Sequence, residues 1–236
     1  MGTRRIAFCA VMTALLIAVQ YALSFVSGIE LVTVLLLCFC YVFGARCGVL
    51  TSIAFSVLRC LLFGFVPNVI ILYLVYYSLF ALLFGWLGRS RIRVWVCPVL
   101  LAFLASACGY FALTGLPISV LYRARVSIML WILCGICLTI LILYIALVAA
   151  KNGAQGRELA LVTALAAICT VMFTLLDDVI TPLFMGYSAE AATAYFYTGF
   201  IAMLPQTICA AVSVFVLFVP LKKVFEAVGR NIAIIG

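Results

Sequence analysis

The chain has 236 residues, of which 69% are apolar and only 8% are charged, and its formal net charge is +8. Soluble domains contain about 45–50% apolar and about 25% charged residues, so a soluble enzyme, a nucleic-acid-binding protein and a disordered chain are excluded. We expect an integral membrane protein whose basic residues mark the cytoplasmic loops.

Apolar runs alternate with short glycine-containing or polar segments along the whole chain. They predict an all-α, polytopic transmembrane bundle of six to eight helices that forms one integral membrane domain over residues 1–236. The run 30–43 is shorter than the ~20 residues that a straight span needs, which favours a tilted, broken or re-entrant segment. The runs cover residues 6–26, 30–43, 47–64, 68–87, 94–113, 126–150, 159–179 and 197–221.

The distribution of basic residues predicts the orientation. If the N-terminus is inside and eight runs alternate across the bilayer, the inner segments hold eleven of the fourteen Lys and Arg residues and two of the six acids. The inner balance is then +9 and the outer balance is −1, which is the asymmetry that the positive-inside rule describes. We therefore expect both termini in the cytoplasm.

Motifs for nucleotide hydrolysis and for metal binding are absent from the sequence. None of the three lysines stands between Gly and Ser or Thr, so there is no P-loop, and ATP-driven transport would need a separate ATPase. The chain has no His, and on that ground we expect neither a zinc site nor a Ser–His or Cys–His catalytic pair. The CxxC spacing of Cys134 and Cys137 lies within an apolar run and favours packing. We expect no catalytic residue, no metal and no cofactor; the Asp177-Asp178 pair keeps a membrane enzyme as an alternative.

Polar residues within the runs gather in the half of the bilayer that is predicted to be outer. With 1.5 Å of rise per residue, Gln20, Arg59 and Gln206 lie about 21, 18 and 22 Å from the inner ends of their runs. A polar group at such depth is costly unless it faces a cavity or a partner. Two alternatives explain these residues without a ligand. In the first, the acidic side chains lie near the membrane interface and extend to it. In the second, Arg59 forms an ion pair with Asp177 or Glu30. We predict a substrate cavity open to the outside, formed by Glu30, Arg59, Asn68, Tyr73, Tyr77, Asp177 and Gln206.

Small residues recur on one face of the first run. Ala7, Ala10, Ala14 and Ala18 follow one another at intervals of three and four residues. Such stripes let a second helix approach closely. The partner helix is either internal to this chain or part of a second membrane protein.

Several segments share the pattern of one transporter family. They are the alanine-rich first run, 29–33, the tight turn at 43–48, 63–67, 87–89, and 197–206 followed by 219–223. In these segments the chain resembles the substrate-binding S component of energy-coupling factor (ECF) vitamin transporters. The resemblance covers about 1–93 and 159–230, and the segment 94–150 departs from it as an added helical pair.

The resemblance implies a multi-pass receptor of the bacterial plasma membrane that captures a vitamin or a related micronutrient from outside. It implies that the alanine face docks on a separate transmembrane scaffold and that two partner ATPases drive release inside. The pattern from Ile29 to Arg89 is slightly closer to the cobalamin-type members. Besides these partners we expect contact with membrane lipid and none with nucleic acid. A stand-alone secondary transporter or channel is the competing class, although the chain shows no inverted repeat.

Overall fold

The computed structural model describes residues 2–26, 29, 31–89, 93–114, 120–149 and 153–231. These residues form helices and no strand, which confirms the predicted all-α bundle. The helices are α1 (Thr3–Leu23), α2 (Val32–Phe43), α3 (Ala45–Phe63), α4 (Pro67–Leu87), α5 (Arg93–Thr114), α6 (Val120–Ala149), α7 (Gly153–Met185) and α8 (Ala189–Asn231).

The helix boundaries follow the apolar runs at most positions and exceed them in the C-terminal part. The helix α8 continues to Asn231, past the predicted end of its run at residue 221. Pro205 and Pro220 lie inside it and do not end it, as is tolerated where neighbouring helices satisfy the freed backbone groups.

Five helical segments of the described residues are long and apolar enough to cross a membrane, with mean hydropathies from 1.6 to 2.5. The protein is therefore a multi-pass membrane protein, as its composition predicts. The segments are Thr3–Leu23, Ala45–Phe63, Pro67–Leu87, Gln155–Met185 and Pro205–Arg230.

The chain divides into two compact units. The first comprises Met1–Ser90 and Ala166–Gly236, and the second comprises Arg91–Leu165. In the second unit α5 and α6 pack along each other, and the Cys134 thiol donates to the carbonyl oxygen of Ala105 at 3.4 Å. This unit contains the segment 94–150 that departs from the family resemblance.

The helix α2 is a short helix in the interior of the first unit. Its 12 residues include ten buried ones, and it contacts α1, α3, α4 and α8. Twelve residues rise only about 18 Å, against about 28 Å for the 19 residues of α3. The turn at Gly44 joins α2 to α3, which is about 10 Å longer than α2. Space remains at the N-terminal end of α2, next to its first turn.

Candidate binding cavity

A cavity of about 330 Å³ occupies the end of the first unit where α1 and α3 finish and α2 begins. This volume lies near the lower end of the ~300–1,000 Å³ that is usual for small-molecule sites. One side of the wall is aliphatic and comes from the end of α1, the following loop and the start of α2. The other lining residues are polar or aromatic: Gln20, Ser24, Arg59, Phe63, Tyr73 and Gln206.

Arg59 provides the positive charge at the wall. Its guanidinium carbon lies 4.2 Å from the centre of the Tyr73 ring and 5.7 Å from the centre of the Phe63 ring. A cation over an aromatic face is attracted by the electron density of the ring, most strongly away from water. The stacking fixes the position of the guanidinium without neutralising it, and Arg59 forms no ion pair with an acid of the described residues.

Two buried polar atoms of the lining residues have no hydrogen-bond partner among the described residues. They are Nε of Arg59, which is a donor, and Oε1 of Gln20, which is an acceptor. An unsatisfied buried group costs about 1–3 kcal/mol, so both residues gain if a ligand or an ordered water completes their hydrogen bonds.

An aromatic cluster supports the wall behind Arg59. Tyr73 lies 5.2 Å from Tyr77 and 5.5 Å from Phe173 of α7, measured between ring centres. Tyr77 also packs edge-on against Phe55 of α3 at 5.3 Å. Edge-to-face pairs of this kind contribute beyond their buried area, so α3, α4 and α7 are held together directly behind the cation.

A separate polar network joins α4, α7 and α8. Asn68 Nδ2 donates to Thr181 Oγ1 at 2.9 Å, and the Thr181 hydroxyl donates to Asp177 Oδ1 at 2.7 Å. The Tyr195 hydroxyl donates to Asp177 Oδ2 at 2.8 Å. Burial, together with this bond to Asp177, raises the pKa of Tyr195 to about 12.

Asp178 is buried beside this network. Its carboxylate packs against Gly199 of α8 so closely that a Cβ at residue 199 would overlap it, and its Oδ1 accepts no hydrogen bond from the described residues. In the part of the chain that the structure describes, no group of three or more Cys, Asp or Glu residues could hold a metal ion.

The structure brings three of the seven predicted site residues together. Arg59, Tyr73 and Gln206 line the cavity, and Tyr77 packs behind Tyr73. Asn68 and Asp177 lie in the polar network and do not line the cavity. Glu30 lies outside the described residues, and the predicted alternative of a Glu30–Arg59 ion pair therefore lies outside them as well.

The Arg59–Asp177 ion pair considered from the sequence is not formed. Asp177 accepts its hydrogen bonds from Thr181 and Tyr195, while the guanidinium of Arg59 stacks on Tyr73. Both groups are therefore stabilised, each by a different set of neighbours.

The sequence-based candidates did not include two residues that line the cavity beside Arg59. Gln20 lines the cavity and meets the criterion by which Arg59 is predicted. It is a polar side chain about 21 Å from the inner end of its apolar run. Phe63 also lines the cavity but is apolar, so this criterion does not select it. Its position one helical turn after Arg59 is the feature of the sequence that indicates proximity.

The alanine face of α1 is not packed inside the described structure. Ala7, Ala10, Ala14 and Ala18 are all exposed. Within the first unit the alanine face is therefore exposed, while Cys9, Met12, Thr13 and Leu16 are the residues of α1 that are buried.

Comparison of the chain with protein-family models, with curated proteins and with solved structures finds no match.

Proposed function

We propose that the chain is the membrane-embedded substrate-binding subunit of an ATP-driven, ECF-type importer for a vitamin or a related micronutrient. It would be a multi-pass protein of the bacterial plasma membrane with both termini in the cytoplasm. The proposal rests on one observation about α1, which both lines the cavity and exposes its alanine face. Gln20 and Ser24 at its C-terminal end line the cavity, while its alanine face is exposed along the rest of the helix.

Each feature supplies one part of such an importer. The cavity is large enough for a small molecule and offers a cation, two amides and aromatic rings for recognition. The exposed alanines let a scaffold helix approach the backbone of α1 closely. Because the sequence has no P-loop, the energy for release would come from two separate ATPase subunits.

Purification from native membranes in mild detergent tests the proposal. We expect a second membrane protein and two ATPases to co-purify with the chain. Ala10→Leu and Ala14→Leu should reduce their recovery strongly, because the added side chains hold apart two backbones that must approach closely. Ala102→Leu is the matched control, since it adds the same atoms at an exposed alanine of α5 and should leave recovery unchanged.

Two results would contradict this function. Recovery of the partners with both α1 variants would show that the alanine face is not the docking surface. A chain that purifies alone and transports its substrate when reconstituted alone into liposomes would instead be a secondary transporter or channel.

Labelling of single introduced cysteines tests the orientation. Ser24 and Lys223 are both exposed and lie at the C-terminal end of α1 and in the last third of α8. We expect an impermeant maleimide added to intact cells to label Ser24→Cys above the wild-type background and to leave Lys223→Cys unlabelled. The opposite pattern would place the cavity on the cytoplasmic side and exclude capture from outside.

A further inference from the structure

We propose that the cavity selects a compact organic anion, a small molecule with one carboxylate that pairs with Arg59 and an apolar body that packs on the aliphatic wall. The inference rests on the proposed function, because it names the substrate class of the same cavity.

The charge of the wall determines the sign of the ligand. Among the described lining residues Arg59 is the charged one, and it forms no ion pair with a described acid. A partly desolvated guanidinium without a counter-ion is costly, because stacking on Tyr73 does not cancel its charge. A planar carboxylate matches the fork of guanidinium donors and supplies the missing negative charge.

The start of α2 adds to the same electrostatic preference. Its N-cap residue Leu31 and its first residue Val32 line the cavity, and the side chain of Leu31 makes no capping hydrogen bond. The first N–H groups of a helix have no partner within it, and the helix dipole gives that end a partial positive charge. The field from α2 therefore favours an anion at the position that the guanidinium of Arg59 can reach.

The size of the cavity and the number of charges narrow the class further. A volume of about 330 Å³ accommodates a single ring or a short branched chain with its acid group, whereas a corrinoid is far larger. A phosphate monoester carries a charge of about −1.5 to −2 at neutral pH, which one guanidinium does not balance. A carboxylate carries one charge and is balanced by Arg59 alone.

Benzoate, its neutral isostere benzamide and phenyl phosphate are the probes, and their affinities are measured by calorimetry on the purified protein in detergent. We expect benzoate to bind more tightly than both other compounds. Arg59→Gln should weaken benzoate binding at least about 30-fold and should remove its advantage over benzamide. Arg46→Gln is the matched control, because Arg46 is exposed near the opposite end of the same helix. Arg59→Lys keeps the charge and should keep the preference for benzoate, so the test remains valid if Arg59→Gln does not fold.

Several outcomes would overturn the inference. They are benzamide binding as tightly as benzoate, tighter binding of phenyl phosphate, unchanged benzoate affinity in Arg59→Gln, and no binding of benzoate at all. Equal binding of benzamide is also the result expected if Glu30, which lies outside the described residues, neutralises Arg59. The two proposals fail separately: loss of the carboxylate preference with intact assembly contradicts only the substrate class, and benzoate binding without partner subunits contradicts only the importer.

Discussion

The guanidinium of Arg59 stacks on the ring of Tyr73, with 4.2 Å between the guanidinium carbon and the ring centre. The contact joins α3 to α4 at the wall of the cavity. It places a permanent charge on an aromatic surface, and no acid of the described residues pairs with that charge.

Tyr73→Leu should lower the melting temperature of the purified protein. The substitution removes the aromatic face under Arg59 and the ring contacts with Tyr77 and Phe173, and we expect a loss of about 1–3 kcal/mol. Tyr73→Phe keeps the ring and should retain most of the stability in the same thermal denaturation assay. Equal melting temperatures for the two variants would show that the stacking contributes nothing.

Thr181→Val should destabilise the junction of α4, α7 and α8. The valine has nearly the same shape but can neither accept from Asn68 nor donate to Asp177, and we expect a cost of about 1–3 kcal/mol. The control is Thr198→Val, because Thr198 is exposed and bonds only to a carbonyl of its own helix, and its effect should stay within about 0.5 kcal/mol. A Thr181→Val protein as stable as this control would contradict a stabilising role for the network.

Gly85→Ala should destabilise the packing of α4 against the turn between α2 and α3. A Cβ at residue 85 would overlap the backbone of Ala45, and such overpacking costs about 1–3 kcal/mol or more. Gly135→Ala is the reverse case, since nothing lies within 4 Å of a Cβ at that position of α6 and alanine is the better helix former by up to about 1 kcal/mol. Thermal denaturation should therefore show shifts of opposite sign, and a stabilised Gly85→Ala variant would contradict the close approach.

Tyr195 should make the stability depend on pH in the alkaline range. Tyr195 lies outside the candidate span Pro205–Arg230. Its pKa is raised to about 12, mainly by burial and to a lesser extent by the hydrogen bond to Asp177. A pKa raised in the folded state gives stability that is complete below the ordinary value of about 10. This stability is lost as the pH rises through the folded value. We expect the wild-type melting temperature to fall between about pH 10 and pH 12, and Tyr195→Phe to show a smaller fall. Parallel curves for the two proteins would exclude this contribution.

The sequence predicted the positions of Arg59 and Gln206 along their helices better than it predicted the partner of Arg59. Arg59 and Gln206 were selected by their distance along apolar runs, and both line the cavity. Distance along a helix follows from its fixed rise per residue, so the sequence reports it directly. The partner of Arg59 depends on how α3 and α4 rotate against each other, and the candidate partner Asp177 instead bonds Thr181 and Tyr195.

The same distinction applies to α1. The spacing of Ala7, Ala10, Ala14 and Ala18 places them on one face. The sequence left open whether that face packs internally, because a small-residue stripe suits either environment. The structure buries Met12 and Leu16 and exposes the alanines.

The sequence by itself determined that this protein is an all-helical, multi-pass membrane protein. With 69% apolar residues in long runs, the backbone groups in a bilayer can be satisfied only within helices or a closed barrel, and runs of this length fit helices. The sequence already showed that the second run is short, but only the tertiary structure decided that α2 is buried and that Arg59, Tyr73 and Gln206 meet at a cavity beside its first turn. These features arise from contacts between helices that are far apart in the chain, and the periodicity within one helix does not encode which neighbours its faces will meet.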